Sequence, residues 1–234
     1  MMADAVRGLS ARLGKVSGLL ERRFGRPEIC VHETDPVRNL VLTILSQNTT
    51  DDNRDRAYDR LVKRFPTLPE LAAARPSELE EAIRVGGLAR AKTKAILGAL
   101  ARIGKERGGY SLDFLRGIPL PEAREYLTSF PGVGVKTANI LLLFSFGMPA
   151  FPVDTHVLRV TKRLGLVPGA STLAKAALFL EPHVGAGEHG PLHLNLIRLG
   201  RELCRPRNPL CVECPLLPVC PEGKRRTKGT GYIA

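Results

Sequence analysis

Residues 130–144 read FPGVGVKTANILLLF. From Ala138 onward the segment is apolar almost all round, with Ile140, Leu141, Leu142, Leu143 and Phe144 in succession. A helix without a polar stripe offers water no face, so it belongs in the centre of a domain. Its start is also marked. Pro131 and Gly132 end a preceding helix that carries Ala123, Leu127 and Phe130 on one face, and Gly134 opens the apolar one. Glycine lacks a β-carbon, so it accepts positive φ and lets a second backbone come close. These residues call for a helical domain built around 135–147 and entered through a glycine turn at the surface.

The rest of the chain supplies helical partners. Residues 4–24 place Val6, Leu9, Leu13, Val16 and Leu20 at three- and four-residue spacing. Residues 37–47 read as a short apolar helix; Asp51 is expected to cap the next, 52–65, which Pro66 ends. Ser77 and Glu80 have capping-box spacing before Leu79–Val85. A basic amphipathic helix is expected from Leu88 to Arg107, and others near 121–130, 155–165, 171–181 and 190–203. No segment shows convincing strand alternation, and connections are short with Gly or Pro. The fold class is therefore all-α. The final residues, GKRRTKGTGYIA, read as a basic, poorly ordered tail.

The glycine turn bears on function through charge. The chain has 35 Lys+Arg against 23 Asp+Glu, a net charge of +12, which points to a polyanionic partner. The first amides of a helix are unpaired and lie at its positive dipole end, so a phosphate fits there. Gly132, Val133, Gly134 and Thr137 are the candidate DNA contacts of this turn. On the GVG turn alone, a tight connection with Lys136 as a solvated surface residue reads the same. The apolar helix behind it argues for more. A lysine at the mouth of a central helix is expected to be partly desolvated and sits on a positive dipole end, and both disfavour its ammonium form. Asp154 stands 18 residues further on. A helix of about 13 residues rises roughly 20 Å. An extended strap through Met148–Val153, which holds Pro149 and Pro152, covers a similar roughly 20 Å back. Asp154 also suits the N-cap of the helix that begins Thr155–His156, a role compatible with chemistry.

Four of the five cysteines, Cys204, Cys211, Cys214 and Cys220, lie within 17 residues as C-x6-C-x2-C-x5-C. Four thiolates in one short loop can enclose one tetrahedral centre, and their count does not choose between an iron–sulfur cluster and zinc. Cys30 is remote and reads as a buried or free thiol. Arg205 and Arg207 fall inside the first cysteine interval, with Arg198 and Arg201 just before it, so a metal-stapled loop would present a phosphate clamp. No segment reaches membrane-span length and the N-terminus lacks a secretory apolar core, so the expected setting is intracellular, a bacterial or archaeal cytoplasm, with DNA.

Taken together, the motifs LSQNTTD at 45–51, GGLARAK at 86–92, FPGVGVKTAN at 130–139, VDTH at 153–156 and the cysteine loop resemble the endonuclease III family of DNA base-excision glycosylases. This is the helix-hairpin-helix superfamily with a Gly/Pro-rich loop and a catalytic Asp. The resemblance implies a bifunctional glycosylase and AP lyase that removes oxidised pyrimidines, works as a monomer and binds duplex DNA with damaged bases or abasic sites. It implies a 4Fe–4S cluster on the four cysteines. It also implies two helical domains with the DNA cleft between them. Residues 36–150 would form a helical barrel with the hairpin, 1–35 and 151–220 the cluster domain, and 221–234 the basic tail.

By the same resemblance Lys136 is the nucleophile at C1′ of the sugar and Asp154 the carboxylate that stabilises the developing positive charge. Leu88 matches a residue that wedges into the opened duplex; as a residue of an amphipathic helix it reads equally well as core. Asn48 aligns with a position that carries Gln in the best-known bacterial members, where it fills the gap left by the flipped base. Ala89 replaces a bulkier residue. Both departures bear on lesion and opposite-base preference. His156 is a candidate pocket residue or simply a first-turn helix residue. A monofunctional adenine- or thymine/uracil-mismatch glycosylase would lack the lysine, and a non-catalytic DNA-binding protein with a metal loop would not need both Lys136 and Asp154.

Overall fold

The computed structural model describes residues 2–28 and 35–228. Cys30 and residues 229–234 of the expected tail lie outside them. The described residues form twelve α-helices, with short 3-10 turns and no strand, as an all-α class requires. In chain order the helices are α1 Met2–Phe24, α2 Pro36–Leu45, α3 Asp51–Arg64, α4 Leu68–Ala72, α5 Pro76–Ile83 and α6 Ala89–Arg107. They continue as α7 Leu120–Thr128, α8 Val135–Phe146, α9 Thr155–Arg163, α10 Leu173–Leu180, α11 His189–Glu202 and α12 Pro221–Thr227. The chain divides into two compact units, Met1–Cys30 with Pro149–Ala234, and Val31–Met148.

In the unit Val31–Met148, α8 packs on α2 and α7, while α5 packs on α3 and α6. Leu40, Ile44, Leu61, Leu79, Ile83, Ile96, Leu127, Leu141 and Leu142 close the core. Helix α8 is central but not enclosed on every side: Ile140, Leu143 and Phe144 are half-buried. Its buried Asn139 accepts from Arg124 Nε at 2.7 Å, so this polar pair inside the core is satisfied. In the other unit, α11 is the axis, packed on α9 and α1. Leu13, Val16 and Leu20 of α1 and Leu192, Leu196 and Leu199 of α11 are all buried in this core. Asn195 Nδ2 donates to Gly25 O at 3.1 Å and Ser17 Oγ to Glu188 Oε2 at 2.9 Å, fastening the N-terminal helix.

The helix starts correct the sequence reading in three places. Thr50, not Asp51, caps α3: it holds extended backbone and its hydroxyl accepts from Asn53 N at 3.3 Å. Asp51 becomes the first helical residue, where its charge still complements the dipole. Ser77 caps nothing, because Pro76 carries the preset φ of a first helical residue and starts α5 one position earlier. The reciprocal capping box is instead Thr67 with Glu70, at the five-residue α4 that hydrophobic spacing is too short to reveal. The expected tail begins as structure: Pro221–Thr227 is a helix whose first turn is held by Cys220 Sγ accepting from Gly223 N at 3.2 Å.

Candidate functional site

In the unit Val31–Met148 the glycine turn forms as its sequence requires. Gly132 has φ +76°, a conformation that a β-carbon opposes, and a β-carbon there would also stand 3.1 Å from that of Ala95. Gly134 caps α8 with extended backbone, and no side chain accepts from the first-turn amides. Those N–H groups are the donors a phosphate would meet. Two hairpin residues are less available than expected. Val133 buries its side chain and uses its N–H to close the turn on Phe130 O at 3.1 Å. Thr137 is buried, and its hydroxyl accepts from Gln47 Nε2 at 3.3 Å, so only its backbone can face outward.

Lys136, the second residue of α8, is exposed. The partial burial expected from the apolar helix is absent because Thr137, Ala138 and Asn139 carry the buried face and Lys136 lies on the other side of the turn. What remains is an amine at a positive helix end beside uncapped amides.

Two neighbouring loops in this unit carry the other candidates. Asn48 follows α2, exposed, with φ 51°, a conformation asparagine tolerates. Leu88 precedes α6 with φ 50° and ψ 34°, and it is 57% exposed. It is not a core leucine. Sequence reasoning passed over two residues beside them. Gln47 Nε2 also donates to Gly132 O at 2.9 Å. Lys92, in the helix read as basic and amphipathic, is buried at 2% exposure; its Nζ donates to Leu45 O at 2.7 Å and Gly86 O at 2.8 Å. Burial lowers its pKa. The one cue in the sequence was a lysine four residues after a Gly-Gly-Leu turn, on the face that Ile96 and Leu100 make apolar.

In the other unit, Asp154 caps α9, its Oδ1 accepting from Val157 N at 2.8 Å. Oδ2 has no hydrogen-bond partner among the described residues, so capping leaves one oxygen for other work. His156 lies in the first turn of α9 over Gly200, where a β-carbon would come within 2.7 Å of its own, and its Nδ1 stands 3.1 Å from Arg159 Nη2. It packs as a helix residue.

Cys204, Cys211, Cys214 and Cys220 line one small pocket with Leu203, Pro209, Leu210 and Leu217. Arg163 Nη1 donates to Cys204 Sγ at 3.2 Å and to Arg205 O at 2.8 Å. Burial pushes the Cys214 thiol up to about 11 and raises Cys211 and Cys220 as well, so thiolates here need a cationic centre. Among the described residues no three His, Cys, Asp or Glu stand close enough together to hold a metal ion. Arg205 and Arg207 are exposed on the loop, Arg205 Nε donating to Glu202 O at 3.0 Å, whereas Arg198 is paired with Glu202 at 2.8 Å.

Residues 41–182 match the family described as HhH-GPD superfamily base excision DNA repair protein. The chain belongs to this family. This HhH-GPD protein is 39% identical over 197 residues to Endonuclease III of Thermotoga maritima, covering 84% of this chain and 88% of that one. To Endonuclease III of Bacillus subtilis it is 34% identical over 205 residues, 88% and 90% of the two chains. It resembles a solved structure of a trapped endonuclease III–DNA covalent intermediate with TM-score 0.79 and 32% identity, covering 93% and 98%. The resemblance drawn from the motifs holds. Asn48, Leu88, Lys136 and Asp154 fall inside the matched region and the cysteine loop beyond it. Among the described residues no helix of this HhH-GPD protein is long and apolar enough to cross a membrane.

Proposed function

We propose that this chain is a bifunctional DNA glycosylase and AP lyase that removes oxidised pyrimidines from duplex DNA. The observation that carries the reading is Lys136: an exposed primary amine in the first turn of α8, next to a glycine turn whose amides no side chain caps. The turn holds a backbone phosphate, and the amine stands beside the sugar that the phosphate belongs to. The damaged base is flipped out of the stack, at a cost of a few kcal/mol that damage reduces. Exposed Leu88 wedges into the opened duplex, and Asn48 stands at the gap that the flipped base leaves.

Lys136 Nζ attacks C1′, the C1′–N bond breaks, and the base leaves with its bonding electrons and takes a proton. The sugar ring opens to a Schiff base. Loss of a proton from C2′ then expels the 3′ phosphate by β-elimination, and water releases the lysine. Bound DNA withdraws water from the amine. The unengaged Oδ2 of Asp154 stabilises positive charge on the sugar and relays protons to and from the amine.

The donor set of the cysteine pocket suits a 4Fe–4S cluster: four thiols lining one pocket, leucine and proline beside them, and an arginine on one sulfur. When bound, the cluster supplies a rigid cross-link of the loop that presents Arg205 and Arg207. Iron and acid-labile sulfide should copurify with the chain and be lost in Cys211→Ser. The protein acts as a monomer on intracellular duplex DNA.

Borohydride reduces a Schiff base in place, so wild type should become covalently trapped on damaged duplex. Lys136→Gln should lose trapping and strand cleavage while keeping DNA affinity. Trapping of Lys136→Gln at the wild-type rate would show that another amine does the chemistry.

A further inference from the structure

The three loops that this reading brings to DNA are held together by two side chains, Gln47 and Lys92. Gln47 ties the loop after α2 to the hairpin through Gly132 O at 2.9 Å and Thr137 Oγ1 at 3.3 Å. Lys92 ties the end of α2, which leads into the same loop, to the turn before α6. Its Nζ bridges Leu45 O, three residues before Asn48, and Gly86 O, two residues before Leu88, at 2.7 and 2.8 Å.

The Lys92 bridge is costly. An ammonium at 2% exposure has given up its water, and among the described residues no carboxylate pairs with it. Several kcal/mol of desolvation are typical for such a group. Two charge-assisted bonds offset part of this, helped by the negative end of α2, where Leu45 is the last residue. A methionine of similar length would fill the space without the penalty. The ammonium instead fixes the distance between two carbonyls, one at the end of α2 that leads into the Asn48 loop and one in the turn before Leu88. The left-handed backbone of Leu88 needs such an external hold, since leucine does not favour it unaided.

We propose that Lys92 is a positioning residue of the glycosylase step: it sets the spacing between Leu88 and Asn48 so that both enter the duplex together. Gln47 fixes that pair relative to the hairpin and hence to Lys136. The proposal rests on the reading that these loops meet DNA. Misplacement by about 1 Å can cost roughly a hundredfold in rate, which makes a held spacing worth its desolvation.

The test is single-turnover base release from a duplex carrying an oxidised thymine opposite adenine, at saturating enzyme. Lys92→Met, Leu88→Ala and the double variant are compared, with strand cleavage at a ready-made abasic site as the second readout. Lys92→Met should slow base release by about ten- to a hundredfold and affect abasic-site cleavage far less. In the Leu88→Ala background the same change should cost little more, because Lys92 acts through Leu88. Lys92→Gln, too short to bridge both carbonyls, is run through the same cycle and should show the same non-additivity; it decides the matter if Lys92→Met fails to fold. Losses that multiply independently in the cycle, or that fall equally on both substrates, would overturn the positioning role while leaving the glycosylase reading intact. A wild-type protein that releases no base would overturn both.

Discussion

Leu88 holds a backbone conformation that leucine avoids, at φ 50° and ψ 34°, and spends little of its side chain on the core, being 57% exposed. Left-handed backbone costs a β-carbon-bearing residue about 1–2 kcal/mol, while glycine there gives back part of the gain in chain entropy. Leu88→Gly should therefore change unfolding free energy by less than about 1 kcal/mol, against the roughly 2–5 kcal/mol lost when a core leucine is truncated. Base release from a paired lesion should nevertheless fall. Denaturant titration with a base-release assay checks both halves; a loss of several kcal/mol would return Leu88 to the core. Periodicity alone left wedge and core equally open, because a leucine in an amphipathic helix reads the same either way. The motif resemblance, not the spacing, singled Leu88 out. Lys136 shows the opposite limit: its position at a helix mouth was legible, but its exposure depends on which side of one turn the neighbours pack, and composition carries no such information.

Helices α9 and α11 meet where Gly200 passes under His156, with no room for a methyl group: a β-carbon on Gly200 would lie 2.7 Å from His156 Cβ and 3.3 Å from Arg159 Nη2. Arg159 then donates to Gly200 O at 2.8 Å and Cys204 O at 2.9 Å, so this crossing also anchors the start of the cysteine loop. Gly200→Ala should destabilise the fold by about 1–3 kcal/mol, the usual cost of forcing atoms into a packed contact. Adding His156→Ala should not restore it, since alanine keeps the obstructing β-carbon. Urea unfolding followed by helical circular dichroism measures this, and a neutral Gly200→Ala would show that the helices separate freely. At this scale the long helices were legible and their ends less so. TTD offers two caps and the chain uses the threonine; Pro76 moves a start by its fixed φ; α4 and α12 are too short for a period. A close helix crossing leaves only a glycine in a sequence, and glycine there reads equally as loss of helix propensity.

For the molecule as a whole the net charge of +12 is not spread as free cation. Arg75 and Arg64 hold Glu78, whose carboxyl they push down to about 2, at 2.8 and 3.0 Å. Arg225 and Arg226 do the same to Glu222, and Arg26 joins Glu21 and Glu188. Glu78 and Glu222 stay ionised throughout the range in which DNA binding is measured, so each cancels one of the two arginine charges beside it. Arg205, on the cysteine loop, leaves its terminal nitrogens to solvent and spends only Nε on a carbonyl. Each phosphate neutralised releases condensed counterions and adds about 0.9 to the slope of log affinity against log salt. Affinity for undamaged duplex should therefore fall steeply between low and moderate salt, and Arg205→Ala should flatten the slope by about one contact. Arg75→Ala should leave the slope unchanged although it removes the same formal charge, because that guanidinium is committed to Glu78. Fluorescence anisotropy titrations at several salt concentrations separate the two outcomes. Equal flattening by both substitutions would mean that overall charge drives binding. Flattening by Arg205 alone would mean that the loop carrying the four cysteines grips a phosphate.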